Sequence, residues 1–223
     1  ARAPPGQFLS CLCNGKRADC RIRICNNDLT CGMIRKCMAP GQWLTDDIVN
    51  AYLSLLVSSC RRTAAVSSFM MTSLISNPSS SNVRRFRWTK SIDWLQVSLA
   101  FVPIHLADAS HWLLAVINVD NHTISVLDSL PSRSTKKYVS CLLSYVRGDW
   151  RQRELLDQRP WTVAKWPAKR IPTQANGDDC GVFLCEFTRR IARHQAVELI
   201  DPKRMSDVRR RIQRELLTAT VVI

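Results

Sequence analysis

The chain has 223 residues, 46% of them hydrophobic with seven tryptophans, and 32 Lys plus Arg against 18 Asp plus Glu give a net charge of +14. This length allows one domain with a real core, or one domain plus a small appendage, and the composition excludes a disordered chain. No apolar run approaches the roughly 20 residues that span a bilayer, so a soluble globular protein is expected, and no membrane partner.

The chain begins ARAPPGQFLS, with no initiator Met and no apolar signal core, as an excised piece of a longer protein would. Six of the ten cysteines then follow within 37 residues: Cys11, Cys13, Cys20, Cys25, Cys31 and Cys37. Such crowding is compatible with a disulfide knot or a zinc site. With no CxxC pair and no His before His105, a metal is not expected, and reduced intracellular thiols are the simpler reading.

In GQWLTDDIVNAYLSLLVSSC, Thr45 and Asp46 precede apolar residues at helical spacing, which predicts a capped amphipathic helix starting near Thr45. A second helix is predicted over 64–75, followed by the turn-rich connector NPSSSN. The basic, aromatic VRRFRWTKSIDWLQ leads to LAFVPIHL, read as a buried strand.

HWLLAVINVD and HTISVLDSL form the most readable unit, a hairpin turning at Asp120 and Asn121. With the turn centred between those two residues, His111 faces Leu130 and Asp128 faces Leu113. His111 and Asp128 are then diagonal neighbours on one face, about 7–8 Å apart along the backbone grid. A half-residue shift of the centre would keep them close but on opposite faces.

Further helices are predicted over 134–150 and 180–193 and through MSDVRRRIQRELL, with WTVAKWP as another strand. Asp178 or Asp179 is the expected N-cap of the 180–193 helix. Basic clusters at Arg84-Arg85-Phe86-Arg87, Lys136-Lys137 and Arg209-Arg210-Arg211 read equally as a solvated face or a surface for an acidic protein. Nucleic acid is a weaker candidate, because no groove-reading motif accompanies them.

QANGDDCG singles out Cys180. A thiol in the first turn of a helix meets the positive end of the macrodipole and unpaired amides, which suit a thiolate nucleophile. It needs an imidazole to pair with it and protonate a leaving amine, and a carboxylate to orient that imidazole. His111 and Asp128 meet this need at the open end of the hairpin, whereas Asp120 and His122 compete from the turn. The Cys180 amide and the Gln174 side chain are candidate oxyanion donors, with Asn176-Gly177 as the tight turn between them.

WLTDDIVNAYLSLL, VRRFRWTKSID, FVPIHL with HWLLAVIN, VLDSL and QANGDDCGVFLCEF, in this order, resemble the SUMO/sentrin-specific (ubiquitin-like-protein-specific) cysteine proteases over residues 28–217. The resemblance implies an α+β, papain-like architecture: a central mixed sheet flanked by helices, with the nucleophile at the start of a buried helix. It divides the chain into a cysteine-rich extension, 1–27, and a catalytic domain, 28–223. It implies a triad of His111, Asp128 and Cys180 with Gln174 in the oxyanion hole. Trp43 and Trp112 would be lids of a channel for the modifier's Gly-Gly tail, and Asp46 a modifier contact.

Thr45 stands where the family has Asn, and LADAS lengthens the approach to His111. The implied reaction is cleavage after the modifier's Gly-Gly, with SUMO the first candidate and a NEDD-type modifier the second. It would proceed without metal or organic cofactor, in a monomer, in the nucleus with the cytoplasm as a second compartment. An acetyltransferase on a related thiol site and a non-catalytic binding module are the rivals from other classes.

Overall fold

The computed structural model describes residues 8–11, 13, 17–76, 88–130, 135–157, 159–167 and 170–222. Its centre is a five-stranded mixed sheet in the order β4-β5-β6-β7-β8. The strands are β4 (Thr63–Ala65), β5 (Leu99–Leu106), β6 (His111–Asn118), β7 (Thr123–Leu127) and β8 (Thr162–Val163). The central β5–β6 and β6–β7 pairs are antiparallel, and the edge pairs β4–β5 and β7–β8 are parallel.

Because successive strand residues point to opposite faces, β5 and β6 feed two cores. Leu99, Phe101, Trp112, Leu114 and Val116 lie in one, and Ala100, Val102, Ile104, Leu113, Ala115 and Ile117 in the other. Covering of both faces explains why LAFVPIHL reads as continuously apolar rather than alternating. The first core is roofed by α2 (Asp46–Ser59), α5 (Cys180–Ala192) and α6 (Met205–Thr218). The second is roofed by α3 (Phe69–Ser76) and α4 (Lys136–Gln152). Among the described residues no helix is long and apolar enough to cross a membrane.

An antiparallel three-stranded sheet, β1 (Phe8–Leu9), β2 (Arg21–Ile24) and β3 (Asn27–Thr30), leads into α1 (Cys31–Met38). Ile22, Ile24 and Leu29 are buried in the same core as α2, α5 and α6. The boundary expected at 27/28 therefore falls inside β3, and the extension shares the core of the larger unit. With the start of α1 it gathers Cys11, Cys13, Cys20 and Cys31, whose sulfurs lie within 4.8 Å of one another.

The hairpin register is the predicted one: Leu114 pairs with Leu127 and Asn118 with Thr123, which centres the turn between Asp120 and Asn121. The helix expected over 64–75 is corrected. Residues 63–65 form β4 alongside Leu99–Phe101, and the helix starts only at Phe69. Pairing with β5 satisfies the backbone there, which outweighs the helix preference of two alanines. The NPSSSN connector and the Arg84–Arg87 cluster lie outside the described residues.

The cluster at 209–211 is not a solvated basic face. Arg210 is exposed, Arg211 is half-buried against Glu186, and Arg209 is 4% exposed. Deeper between the helices, fully buried Glu215 accepts from Tyr52 Oη at 2.7 Å and Arg189 Nη1 at 2.8 Å, so its charge is paired.

Candidate active site

Cys180 is the first residue of α5 and is buried. His111 opens β6, after a 3-10 turn at Ala107–Ala109 and the left-handed Ser110 (φ 49°) into which LADAS folds. Asp128 follows the last residue of β7. The diagonal placement lets His111 Nε2 meet Asp128 Oδ1 at 2.7 Å. Asp128 Oδ1 also accepts the Leu130 backbone N–H at 2.8 Å, which fixes the carboxylate at the strand end.

With Nε2 taken by Asp128, Nδ1 is the ring nitrogen left to interact with Cys180. The bond to Asp128, then the influence of Cys180, raises the His111 pKa from 6.5 to about 9, against an opposing contribution from burial. At neutral pH the imidazole is therefore held in its proton-bearing form, the form that can donate a proton.

Gln174 is buried on the loop that precedes α5. Its Oε1 accepts from Ser129 Oγ at 2.7 Å and its Nε2 donates to the Asn176 carbonyl at 2.7 Å. A primary amide has two N–H donors, so one Gln174 hydrogen is spent in orienting the group and the second is available to an oxyanion.

Asp179 occupies the N-cap position but makes no side-chain capping bond, because its carboxylate is taken by Asn176 Nδ2 (2.8 Å) and Arg209 Nε (2.9 Å). The turn before it is closed by the Asn176 side chain, whose Oδ1 accepts the amides of Asp178 and Asp179; Gly177 is not among the described residues at positive φ.

Trp43 is 55% exposed and donates its Nε1–H to the Gly177 carbonyl at 3.0 Å, so it lies over the 174–180 loop. Trp112 is 3% exposed, bonded through Nε1 to the Leu44 carbonyl at 3.0 Å and stacked on His105. Of the two expected lids, only Trp43 is at the surface. Asp46 begins α2, half-buried, and accepts from Ser68 Oγ, so its carboxylate ties α2 to the approach to α3.

Sequence reasoning passed over two supports of Cys180. Arg209 reaches from α6 to Asp179 Oδ1, to the Asp178 carbonyl at 3.0 Å and to the Cys37 carbonyl at 3.0 Å, clamping the loop that delivers Cys180. Its signal was positional: it stands four residues after buried Met205, on the inward face of α6. Gly181 lets Leu44 approach, since a Cβ there would sit 2.9 Å from Leu44 Cβ. The competing histidine, His122, joins no thiol among the described residues and pairs instead with Asp157 at the far end of the hairpin.

A mixed sheet, a thiol at the start of a buried helix and a histidine–carboxylate pair on neighbouring strands together define the cysteine-protease class of α+β folds. Residues 42–221 match the family model of the Ulp1 protease family, C-terminal catalytic domain. A sentrin-specific protease of Caenorhabditis elegans is 30% identical over 88% of this chain and 27% of its own length. The human sentrin-specific protease 5 is 31% identical over 88% of this chain and 25% of its own length.

Among solved structures, the SUMO protease Ulp1 with its catalytic cysteine oxidised to a sulfonic acid superposes with a TM-score of 0.71 at 25% identity, covering 85% of this chain and 84% of that one. The Ulp1 protease domain in complex with Smt3, the yeast ortholog of SUMO, superposes with a TM-score of 0.74 at 24% identity, covering 92% and 90%. The chain belongs to the Ulp1 protease family. It spans about a quarter to a third of the length of the curated relatives it matches.

Proposed function

We propose that the chain is a thiol isopeptidase and endopeptidase that cleaves after the C-terminal Gly-Gly of a SUMO-like modifier, with Cys180, His111 and Asp128 as triad and Gln174 as oxyanion donor. The observation that carries it is the placement of His111, bound to Asp128 through Nε2 and presenting its other nitrogen to a thiol at a helix start. With its proton held on His111, the Cys180 thiolate attacks the Gly carbonyl. The oxyanion is received by the Cys180 backbone amide and the remaining Gln174 N–H, and the His111 proton passes to the departing lysine or peptide amine. Water, deprotonated by His111, then hydrolyses the thioester and releases the modifier's carboxylate.

Trp43, held over the loop by Gly177, is the accessible wall of the tail channel in this reading, and Trp112 beneath Leu44 is its floor. A tail without side chains suits so narrow a passage. Asp46, half-buried, offers its exposed side to the modifier. The substrate class rests on the family and on the SUMO proteases among its solved members. A nuclear setting, with the cytoplasm second, is proposed on the same family grounds.

The test is covalent capture. Purified protein is offered SUMO-, NEDD8- and ubiquitin-type modifiers bearing a C-terminal thiol-reactive group, beside Cys180→Ala. An adduct with the SUMO-type probe that vanishes in the variant is the expected result. A folded sample that captures no probe would overturn the proposal.

A further inference from the structure

We propose that Cys11, Cys13, Cys20 and Cys31 are the four ligands of a structural zinc ion that staples the amino-terminal sheet to α1. Three separated segments supply them: the exit of β1 (Cys11 and Cys13), the approach to β2 (Cys20) and the first residue of α1 (Cys31). The spacing C-x-C-x6-C-x10-C has no CxxC, and on spacing alone a metal was not expected. The fold corrects that expectation by bringing together sulfurs that the sequence keeps apart.

A regular tetrahedron of zinc–sulfur bonds of about 2.3 Å spaces its sulfurs about 3.8 Å apart. Here Cys13 and Cys31 sulfurs are 3.8 Å apart and Cys11 and Cys20 sulfurs 3.6 Å, with Cys11 at 3.2 Å from Cys13 and 2.9 Å from Cys31. Small side-chain rotations open the two short distances to the tetrahedral value. Two disulfides would instead divide the sulfurs into couples at about 2.05 Å. Cys11 Sγ lies within 3.6 Å of all three others, which is the geometry of one shared centre.

The surroundings suit thiolate ligands. The Arg17 backbone N–H donates to Cys13 Sγ at 3.3 Å, the kind of outer contact that orients a metal-bound sulfur. Cys31 sits at the amino end of α1, where the macrodipole favours negative charge. The Cys31 amide bonds to the Cys20 carbonyl at 3.0 Å and the Gly32 amide to the Ala18 carbonyl at 2.9 Å, so two ligand segments are already joined by backbone. A Cβ on Gly32 would lie 3.1 Å from that carbonyl oxygen, so glycine lets the loop seat closely against the helix. A four-sulfur tetrahedron suits zinc or iron; sulfurs within 4.8 Å of one another enclose a single ion and leave no room for a sulfide-bridged cluster, and zinc is the ion proposed.

The experiment uses the whole chain, expressed with zinc supplementation and purified without chelator, with metals read by elemental mass spectrometry and cysteine states by intact mass after alkylation. The expected result is about one zinc per chain. It should be retained in Cys60→Ser and reduced to background in Cys13→Ser and in Cys31→Ser. Should a serine variant fail to fold, cobalt exchanged into the wild-type protein gives the independent reading, the intense visible bands of tetrahedral cobalt–thiolate.

Background zinc in the folded wild type, zinc retained by both tetrad variants, iron with acid-labile sulfide, or a disulfide among the four in anaerobically purified protein would each overturn the proposal. Because zinc content is read without a modifier, this result and that of the capture experiment are separable.

Discussion

The β6–β7 hairpin carries a histidine against a carboxylate at each end, and the two ends differ in what holds the second ring nitrogen. At the open end, Asp128 takes Nε2 of His111 and Cys180 is left for the other nitrogen. At the turn, His122 is 2% exposed, with Nε2 3.3 Å from Asp157 and Nδ1 2.9 Å from the Arg159 carbonyl. Its ring lies flat on Trp161 at 4.6 Å and meets the edge of Trp150 at 4.9 Å. Both nitrogens of His122 are spent on the fold, so the same residue pair builds a corner of the core at one end and a candidate reaction centre at the other. A histidine–carboxylate pair alone marks neither.

The sharpest break of this comparison is the matched pair His111→Ala and His122→Ala. Loss of His111 should lower single-turnover cleavage by about 10³-fold or more. Loss of His122 should leave cleavage by the folded protein unchanged and reduce unfolding free energy by about 2–4 kcal/mol in denaturant titration. Equal rate losses in the two variants would erase the distinction.

The carboxylates come next. Asp128→Asn should cost about 10²–10⁴-fold in cleavage rate, whereas Asp157→Asn should cost none. The same variants sharpen the pH dependence. A folded pKa raised to about 9 from 6.5 means that the His111 proton stabilises the fold fully below about pH 6.5, and that this contribution is lost as pH rises through about 9. Cleavage that requires the imidazolium should fall on the same alkaline limb. Asp128→Asn removes the largest cause of the shift, so its limb should move to lower pH in a rate profile.

Arg209→Met should destabilise the protein by about 3 kcal/mol, because Asp179 would keep a buried charge without its guanidinium. Chemical denaturation measures this, and residual activity in the folded fraction should drop as the 178–180 loop loosens. Smallest is Ser129→Ala, which removes one hydrogen bond from Gln174 and should cost about 1 kcal/mol of transition-state stabilisation, read as a several-fold fall in cleavage rate.

The hairpin was legible because its turn residues set the register, and register alone places His111 beside Asp128. The helix start at Cys180 was legible from the apolar run behind it, Val182 to Phe187. What escaped depends on partners far away in sequence. Arg209 looks like one of three surface bases until α6 turns it inward to Asp179. Residues 63–65 become a strand only because β5 offers them an edge. Gly181 falls inside the predicted 180–193 helix with nothing to mark it, yet the space of its missing side chain is filled by Leu44. The four gathered cysteines have no common spacing, so only the folded β1–β3 layer shows them as one group.

The hydrogen bond from Trp43 to the Gly177 carbonyl makes the protein its own optical gauge. An exposed indole tied to the loop that carries Cys180 changes its emission whenever that tie is made or broken. Arrival of a tail at the loop can therefore be timed by rapid mixing without any added dye. Trp43→Phe identifies which of the seven indoles reports it, and the comparison of emission with cleavage then separates docking from bond breaking in one trace.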